Sequence, residues 1–215
     1  MKIIEINNWR GRKHYLWFKK YPVHYYGITK TIDISGFIKY IKANSLSFFI
    51  PFMYLIHLAL NDVEEFRLRV VDEKVILYDI IHPSYTIMTE EGIFDNCEHD
   101  FSNNFKTYYA EGLGAIEHAK KAVRQNKSYN DLSIMDQYYF TSVPWIDFSS
   151  VTHPMPDDDT AFVPRITWGK YYKKNEKFII SLNLHVSHAL VDGYPLAQAF
   201  IKIQEYMDNS EKYLN

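Results

Sequence analysis

The sequence predicts an α+β fold, a two-layer sandwich in which a mixed β-sheet carries packed helices. Three observations predict it. Two polar turns lie between β-prone runs: Asp72-Glu73-Lys74 between RLRVV and VILYDI, and Lys173–Glu176 between ITWGKYY and KFIISLNLHV,. The helical patterns are segregated from the strands instead of alternating with them. Leu196, Phe200, Ile203 and Met207 recur at helical spacing and form one apolar stripe,.

The remaining elements follow in chain order. Asn8 is placed to cap a helix over roughly residues 9–20, with Trp9, Leu16 and Phe18 apolar,. Residues 23–32 are β-prone, and Ser35 is placed to cap a helix reaching Asn44. Phe48–Asn61 reads as a helix apolar on most sides, with Pro51 tolerable in its first turn,. Ser84–Met88 reads as a strand and residues 108–125 as a helix. The last helix is expected to start near Tyr194. No repeat or linker interrupts the chain, so one domain over 1–215 is expected. Its length suffices to bury a core,.

Composition excludes several classes of function. Lys and Arg total 24 against 26 Asp and Glu, a net charge of −2, so nothing favours nucleic acid or an anionic membrane,. The longest apolar run, Phe48 to Ile56, is too short to span a bilayer and is broken by His57,. The segment MKIIEINNWRGRKHY has no apolar signal core, and a cytoplasmic location is expected,. The single cysteine, Cys97, rules out an internal disulfide, and no histidine–asparagine pattern accompanies it,. No glycine-rich phosphate cradle occurs.

The chemistry concentrates at the end of the run Lys177–His188. Phe178, Ile180, Leu182, Leu184 and Val186 share one face of a strand, and His188 continues that face,. Burial favours a neutral imidazole, the form a general base needs. The competing reading is a structural histidine bonded to backbone. His185 falls on the polar face, opposite His188, which argues against a shared metal. Asp192 follows four residues after His188 and reads as a clamp on the local backbone, while Gly193 permits a sharp turn into the last helix,. The pattern His-x-x-x-Asp-Gly arises by chance in about 2% of such chains, so it does not identify a function alone.

Three further segments accompany it. Trp9 precedes a basic stretch and His14-Tyr15. Thr141-Ser142-Val143-Pro144-Trp145-Ile146-Asp147-Phe148 and Thr167-Trp168-Gly169-Lys170-Tyr171 lie further on. Together with the histidine motif, at similar spacing over nearly the whole chain, they resemble the chloramphenicol acetyltransferase family. The histidine motif alone also occurs in dihydrolipoamide acyltransferase cores and peptide-synthetase condensation domains. The resemblance implies a homotrimer with active sites at subunit interfaces. It implies no bound cofactor, and acetyl-CoA and a small hydroxylated acceptor as co-substrates in a direct ternary complex. His188 would take the acceptor's proton and Thr141, at the family's serine position, would donate to the oxyanion. Ser142 is a fallback donor expected on the opposite face. Asp192 completes the motif, Thr167 would orient bound substrate, and Lys170 and Tyr171 would lie near CoA.

The sequence departs from the family pattern in places. Gly11 stands where the family has an arginine paired to the motif aspartate, so Arg12, or else Arg10, is expected to reach Asp192. Ser187 replaces a second histidine, and Ser47 replaces a lysine near the CoA phosphate. The acceptor-pocket positions become Phe18, Pro22, His24, Tyr26, Val151, His153, Met155 and Arg165. His24, His153 and Arg165 imply a pocket more polar than chloramphenicol requires, suited to a hydroxylated and even anionic acceptor. Three readings stand: an acetyl-CoA-dependent O-acetyltransferase, a related acyltransferase with another acceptor or acyl chain, and a non-catalytic trimeric binding homologue. Asp157-Asp158-Asp159 reads as a solvated loop with calcium as a weak alternative, and Glu64-Glu65 and Glu90-Glu91 as turn or helix-end charges,.

Overall fold

The chain runs through β1 (Lys2–Ile3), α1 (Arg12–Phe18), β2 (Tyr25–Asp33), α2 (Ser35–Ala43), α3 (Phe49–Asn61), β3 (Leu68–Val71), β4 (Lys74–Leu77), β5 (His82–Met88), β6 (Phe94–Glu98) and α4 (Phe105–Lys121). It continues through β7 (Gln137–Ser142), β8 (Arg165–Trp168), β9 (Tyr172–Lys174), β10 (Lys177–Ser187), α5 (Gly193–Asp208) and α6 (Ser210–Tyr213). The structure is a computed structural model that describes residues 1–89, 92–121 and 134–215. The main sheet has the order β2-β10-β8-β7-β5-β6, with β9 added to β10. Its pairs β5/β7 and β7/β8 are parallel and the rest antiparallel, so the sheet is mixed as predicted. A small sheet, β1-β4-β3, stands apart. Among the described residues no helix is long and apolar enough to cross a membrane.

β10 organises the molecule. Ile180, Leu182, Leu184 and Val186 join the core with the apolar residues of α2, α3 and α5. α3 is buried at every position from Ile50 to His57, as its all-round apolar pattern requires,. The other face of β10 was expected to be merely polar, yet Ser181, Asn183, His185 and Ser187 are also buried. The segment between β7 and β8 lies against it: Ser181 Oγ donates to Asp147 Oδ1 (2.6 Å), and the His153 ring lies 5.2 Å from that of His185.

Several boundaries differ from expectation. Asn8 ends a short 3-10 turn and caps nothing, and α1 starts only at Arg12, without a side-chain cap. Ser35 does not cap α2. Asp33 does so from outside, its Oδ1 accepting from Ser35 N (3.0 Å) and Ser35 Oγ (2.6 Å). The strand that the resemblance implies over Thr141–Phe148 ends at Ser142, and ITWGKYY breaks into β8 and β9 around Gly169. A Cβ on Gly169 would come within 2.9 Å of the Ile146 carbonyl, so the break accommodates the segment following β7. The helix expected over 108–125 starts at Phe105; positions 122–125, and Glu90-Glu91, lie outside the described residues. β1 and β6 went unpredicted, being short or weakly alternating.

One fully buried histidine, His57, and one partly buried, His99, set an acid limit. His57 Nε2 donates to Ile81 O (2.8 Å), and Nδ1 bonds Tyr108 Oη (3.2 Å). Burial drives its pKa down to about 3, and that of His99 to about 4. Both groups stay neutral in the folded chain while the unfolded chain takes protons near pH 6.5. Their stabilising contribution is therefore complete above about pH 6.5 and lost as pH falls toward about 3. Denaturant unfolding at pH 7.5, 6 and 5 should show stability falling by up to ~1.4 kcal/mol per pH unit for each such histidine. A flat profile over that range would contradict this assignment.

Candidate active site

β10 ends at Ser187, and the next residue, His188, begins the turn into α5. Three contacts fix its backbone and ring. His188 N donates to His24 O (2.7 Å). Ser187 Oγ bonds His24 Nδ1 (2.9 Å) and accepts from Ala189 N (3.2 Å). The imidazole stacks on Phe18, with centroids 4.1 Å apart and planes 17° apart, and the Tyr26 ring lies 4.7 Å away. Nδ1 is buried without a hydrogen-bond partner. The ring lines a cavity of about 210 Å³ together with Trp9, His14, Glu65, Asp192 and Tyr194. The imidazole is partly buried, so it sits at a cavity wall between two aromatic rings and not inside a sealed apolar core. Tyr26 Oη donates to Val191 O (3.4 Å); burial first and Asp192 second raise its pKa to about 12, so the phenol stays protonated.

Asp192 caps α5: its Oδ1 accepts from Tyr194 N (2.9 Å), which satisfies an otherwise orphaned helix donor,. Its side chain is 39% exposed, so it does not require a buried cationic partner. Neither arginine reaches it. Arg10 pairs with Glu65, and Arg12 makes no ion pair among the described residues. The nearest basic group is His14, with Nδ1 4.0 Å from Asp192 Oδ2. Gly193 has no left-handed φ, and a Cβ there would meet nothing within 4 Å, so the turn does not require glycine at this position.

The glycine at position 11 has a packing cause. A Cβ there would stand 2.4 Å from Cζ2 of Trp9. Gly11→Arg is therefore expected to displace the Trp9 ring, lowering stability by about 1–3 kcal/mol without improving turnover. Thermal unfolding with parallel activity assays checks this; a variant as stable as the parent and more active would contradict it.

Thr141 stands near the end of β7, with Oγ1 3.2 Å from Thr86 Oγ1. It lines a cleft of about 530 Å³ with Phe49, Met88, Phe94, Lys120 and Trp145. Ser142, the last residue of β7, also lines this cleft. This cleft and the cavity beside His188 share no residue.

The other expected positions fall into groups. Phe18 and Tyr26 flank His188. His24 lies one step away through Ser187, stacks on Phe162 (4.6 Å), and has its pKa lowered by burial. Pro22 is exposed, and Val151 and Met155 are half-buried in the segment between β7 and β8. His153 bonds Thr167 through Nε2 (3.3 Å), which sets Thr167 beside an acceptor position and apart from the exposed Lys170. Arg165 Nη1 donates to Val163 O (3.1 Å), and its guanidinium lies over Tyr139, 5.4 Å from the ring centre. Lys170 N donates to Ile146 O (2.7 Å), and Tyr171 stacks on Phe48 (5.1 Å). Sequence reasoning quoted His14 as part of a motif but gave it no place beside Asp192, and it missed Thr86 and the burial of His185 and Asn183. Among the described residues no group of three or more His, Cys, Asp or Glu side chains is placed to hold a metal ion.

Comparison with known proteins defines the family. The family model described as chloramphenicol acetyltransferase matches residues 1–204. A chloramphenicol acetyltransferase of Escherichia coli is 26% identical over 207 residues, covering 95% of this chain and 93% of that protein. A solved chloramphenicol acetyltransferase structure superposes with a TM-score of 0.85 at 23% identity, covering 96% of this chain and 99% of that one. The dihydrolipoamide acetyltransferase of Azotobacter vinelandii shares the fold at a TM-score of 0.70 and 13% identity, covering 95% and 89%. The chain thus belongs to the chloramphenicol acetyltransferase family, a family of acyltransferases.

Proposed function

We propose that this chain transfers an acetyl group from acetyl-CoA to an alcohol hydroxyl, with His188 as general base. In this reading the acceptor oxygen attacks the thioester carbonyl while the imidazole takes its proton. The oxyanion so formed receives a hydrogen bond from the Thr141 hydroxyl. Collapse breaks the carbon–sulfur bond, and the proton held by His188 passes to the departing thiolate, giving the ester and CoA. Asp192 holds the turn after His188 by capping α5, a positioning role.

The observation that carries the reading is the mounting of His188 at a cavity wall, its ring held by Phe18 and Tyr26 and its backbone by His24. A second observation supports an interface site. His188 and Thr141 line separate cavities of one chain, so bringing base and donor to one substrate calls for a neighbouring copy. Exposed Trp145, Ile146, Val23 and Tyr194 supply apolar surface for such an assembly,. We read the assembly as a homotrimer, with Lys170 and Tyr171 toward CoA and Thr167 orienting substrate.

Free-thiol release from acetyl-CoA tests the reading, with chloramphenicol and simple alcohols as acceptors. Acceptor-dependent thiol release supports it. Tight CoA binding with no release on any alcohol would overturn it in favour of a non-catalytic binding protein.

A further inference from the structure

The face of β10 away from the helices carries a cluster that the proposed proton transfer does not use. Strand register sets Gly27, His185 and Arg165 in one row across β2, β10 and β8, and Thr29, Asn183 and Thr167 in the next. His185 is 7% exposed, and both of its ring nitrogens are buried without a hydrogen-bond partner; the Asn183 side chain interacts with His153. Such orphaned polar atoms are costly, and in native proteins they call for an explanation. Gly27 leaves a notch above them: a Cβ there would stand 3.0 Å from His185 Nδ1 and 3.1 Å from Asn183 Nδ2. That glycine has no left-handed φ, so the backbone does not demand it. His153 packs on His185 from the other side, with ring centroids 5.2 Å apart.

Arg165 supplies the positive charge of the cluster, and the Asp158 carboxylate acts on it from the segment before β8. Arg165 is half-buried and forms no ion pair with any described residue, its Nη1 being spent on the carbonyls of Val163 and Thr160. Asp158 Oδ1 is engaged by Thr160 N (2.8 Å) and Thr160 Oγ1 (2.5 Å). Burial first, then His153 and Arg165, hold the His185 pKa down at about 4, so it is neutral near pH 7 and keeps one N–H to donate,. A guanidinium beside two imidazoles repels a metal cation and attracts an anion.

From this juxtaposition we propose that Arg165, His153 and His185 recognise a carboxylate carried by the hydroxylated acceptor, received over the notch at Gly27. The inference rests on the acetyltransferase reading for the word acceptor, but not for binding itself. A planar carboxylate can take two parallel N–H bonds from a guanidinium, and the orphaned His185 nitrogen supplies a further donor.

A matched pair of acceptors tests it. Benzyl alcohol and 4-(hydroxymethyl)benzoate differ only in the carboxylate. Thiol-release kinetics should give the benzoate about 10–100-fold higher kcat/KM. Arg165→Met should collapse that ratio toward one, Arg165→Lys should retain part of it, and Gly27→Ala, which fills the notch, should also lower it. Titration of the parent protein with 4-(hydroxymethyl)benzoate in the absence of acetyl-CoA should shift the ring-proton resonances of His153 and His185, and Arg165→Met should abolish the shift. Turnover of both alcohols with no preference, or a preference that survives Arg165→Met and Gly27→Ala, overturns the carboxylate site while leaving the acetyltransferase reading intact. Saturable shifts without turnover of any alcohol leave the site standing and remove that reading.

Discussion

His188→Ala should lower the rate of acetyl transfer by about 10²–10⁴-fold, the usual contribution of a positioned general base. The Phe18 and Tyr26 rings would lose the group they flank, but the backbone bond from residue 188 to His24 O survives in alanine, and Asp192 still caps α5. The variant should therefore fold, assemble and bind CoA, with the loss falling on kcat and not on CoA affinity. Steady-state thiol release with parallel calorimetric CoA binding separates the two. A variant within tenfold of the parent would place the base elsewhere. A variant that no longer binds CoA would mean that His188 supports the structure instead of the reaction.

The largest expected stability effect lies at Arg69, which no reading of the sequence singled out. Its guanidinium is wholly buried on β3 and forms no ion pair among the described residues; four backbone carbonyls take that place. Nε donates to Met135 O (2.8 Å), Nη1 to Phe66 O (2.8 Å) and Leu68 O (2.7 Å), and Nη2 to Gln137 O (2.7 Å). The charge thus ties β3 to the start of β7, the strand that ends at Thr141. Burial lowers the Arg69 pKa only to about 10, so it remains charged near neutrality. Arg69→Leu keeps apolar volume but leaves those carbonyls buried and unpaired. The cost should be about 3–5 kcal/mol, a large part of the 5–15 kcal/mol that typically holds a domain together. Urea unfolding measures it; a loss below about 1 kcal/mol would show that water or neighbouring donors take over those carbonyls.

What was legible in the sequence divides along physical lines. The Leu196–Met207 stripe, the all-apolar run of α3 and the alternation of β10 are periodic signals, and periodicity survives folding because the core enforces it. The positive φ angles at Asp72, Glu73, Asn175 and Glu176 lie within the two turns expected from polar residues,. Illegible features depend on what the chain places opposite. Alternation assigns faces to β10, but only the packing of the segment after β7 makes both faces interior. Gly11 looks like a missing arginine until the Trp9 ring is seen in the space a side chain would need. Arg10 and Arg12 both lie close to the motif aspartate in the expected alignment. One turn of geometry sends Arg10 to Glu65 and leaves His14 nearest Asp192. The strand end at Ser142, which leaves two successive residues lining one cleft, depends on long-range contacts in the same way.

A complementation experiment tests most directly whether base and oxyanion donor come from different copies of the chain. His188→Ala and Thr141→Ala, each inactive or nearly so, are unfolded and refolded together in equal amounts. If each site joins His188 of one copy to Thr141 of another, random assembly should restore about a quarter of the sites and a matching share of the parent's thiol release. If activity stays at the mean of the two separately refolded variants although mixed oligomers have formed, both groups serve from one chain and the interface reading fails.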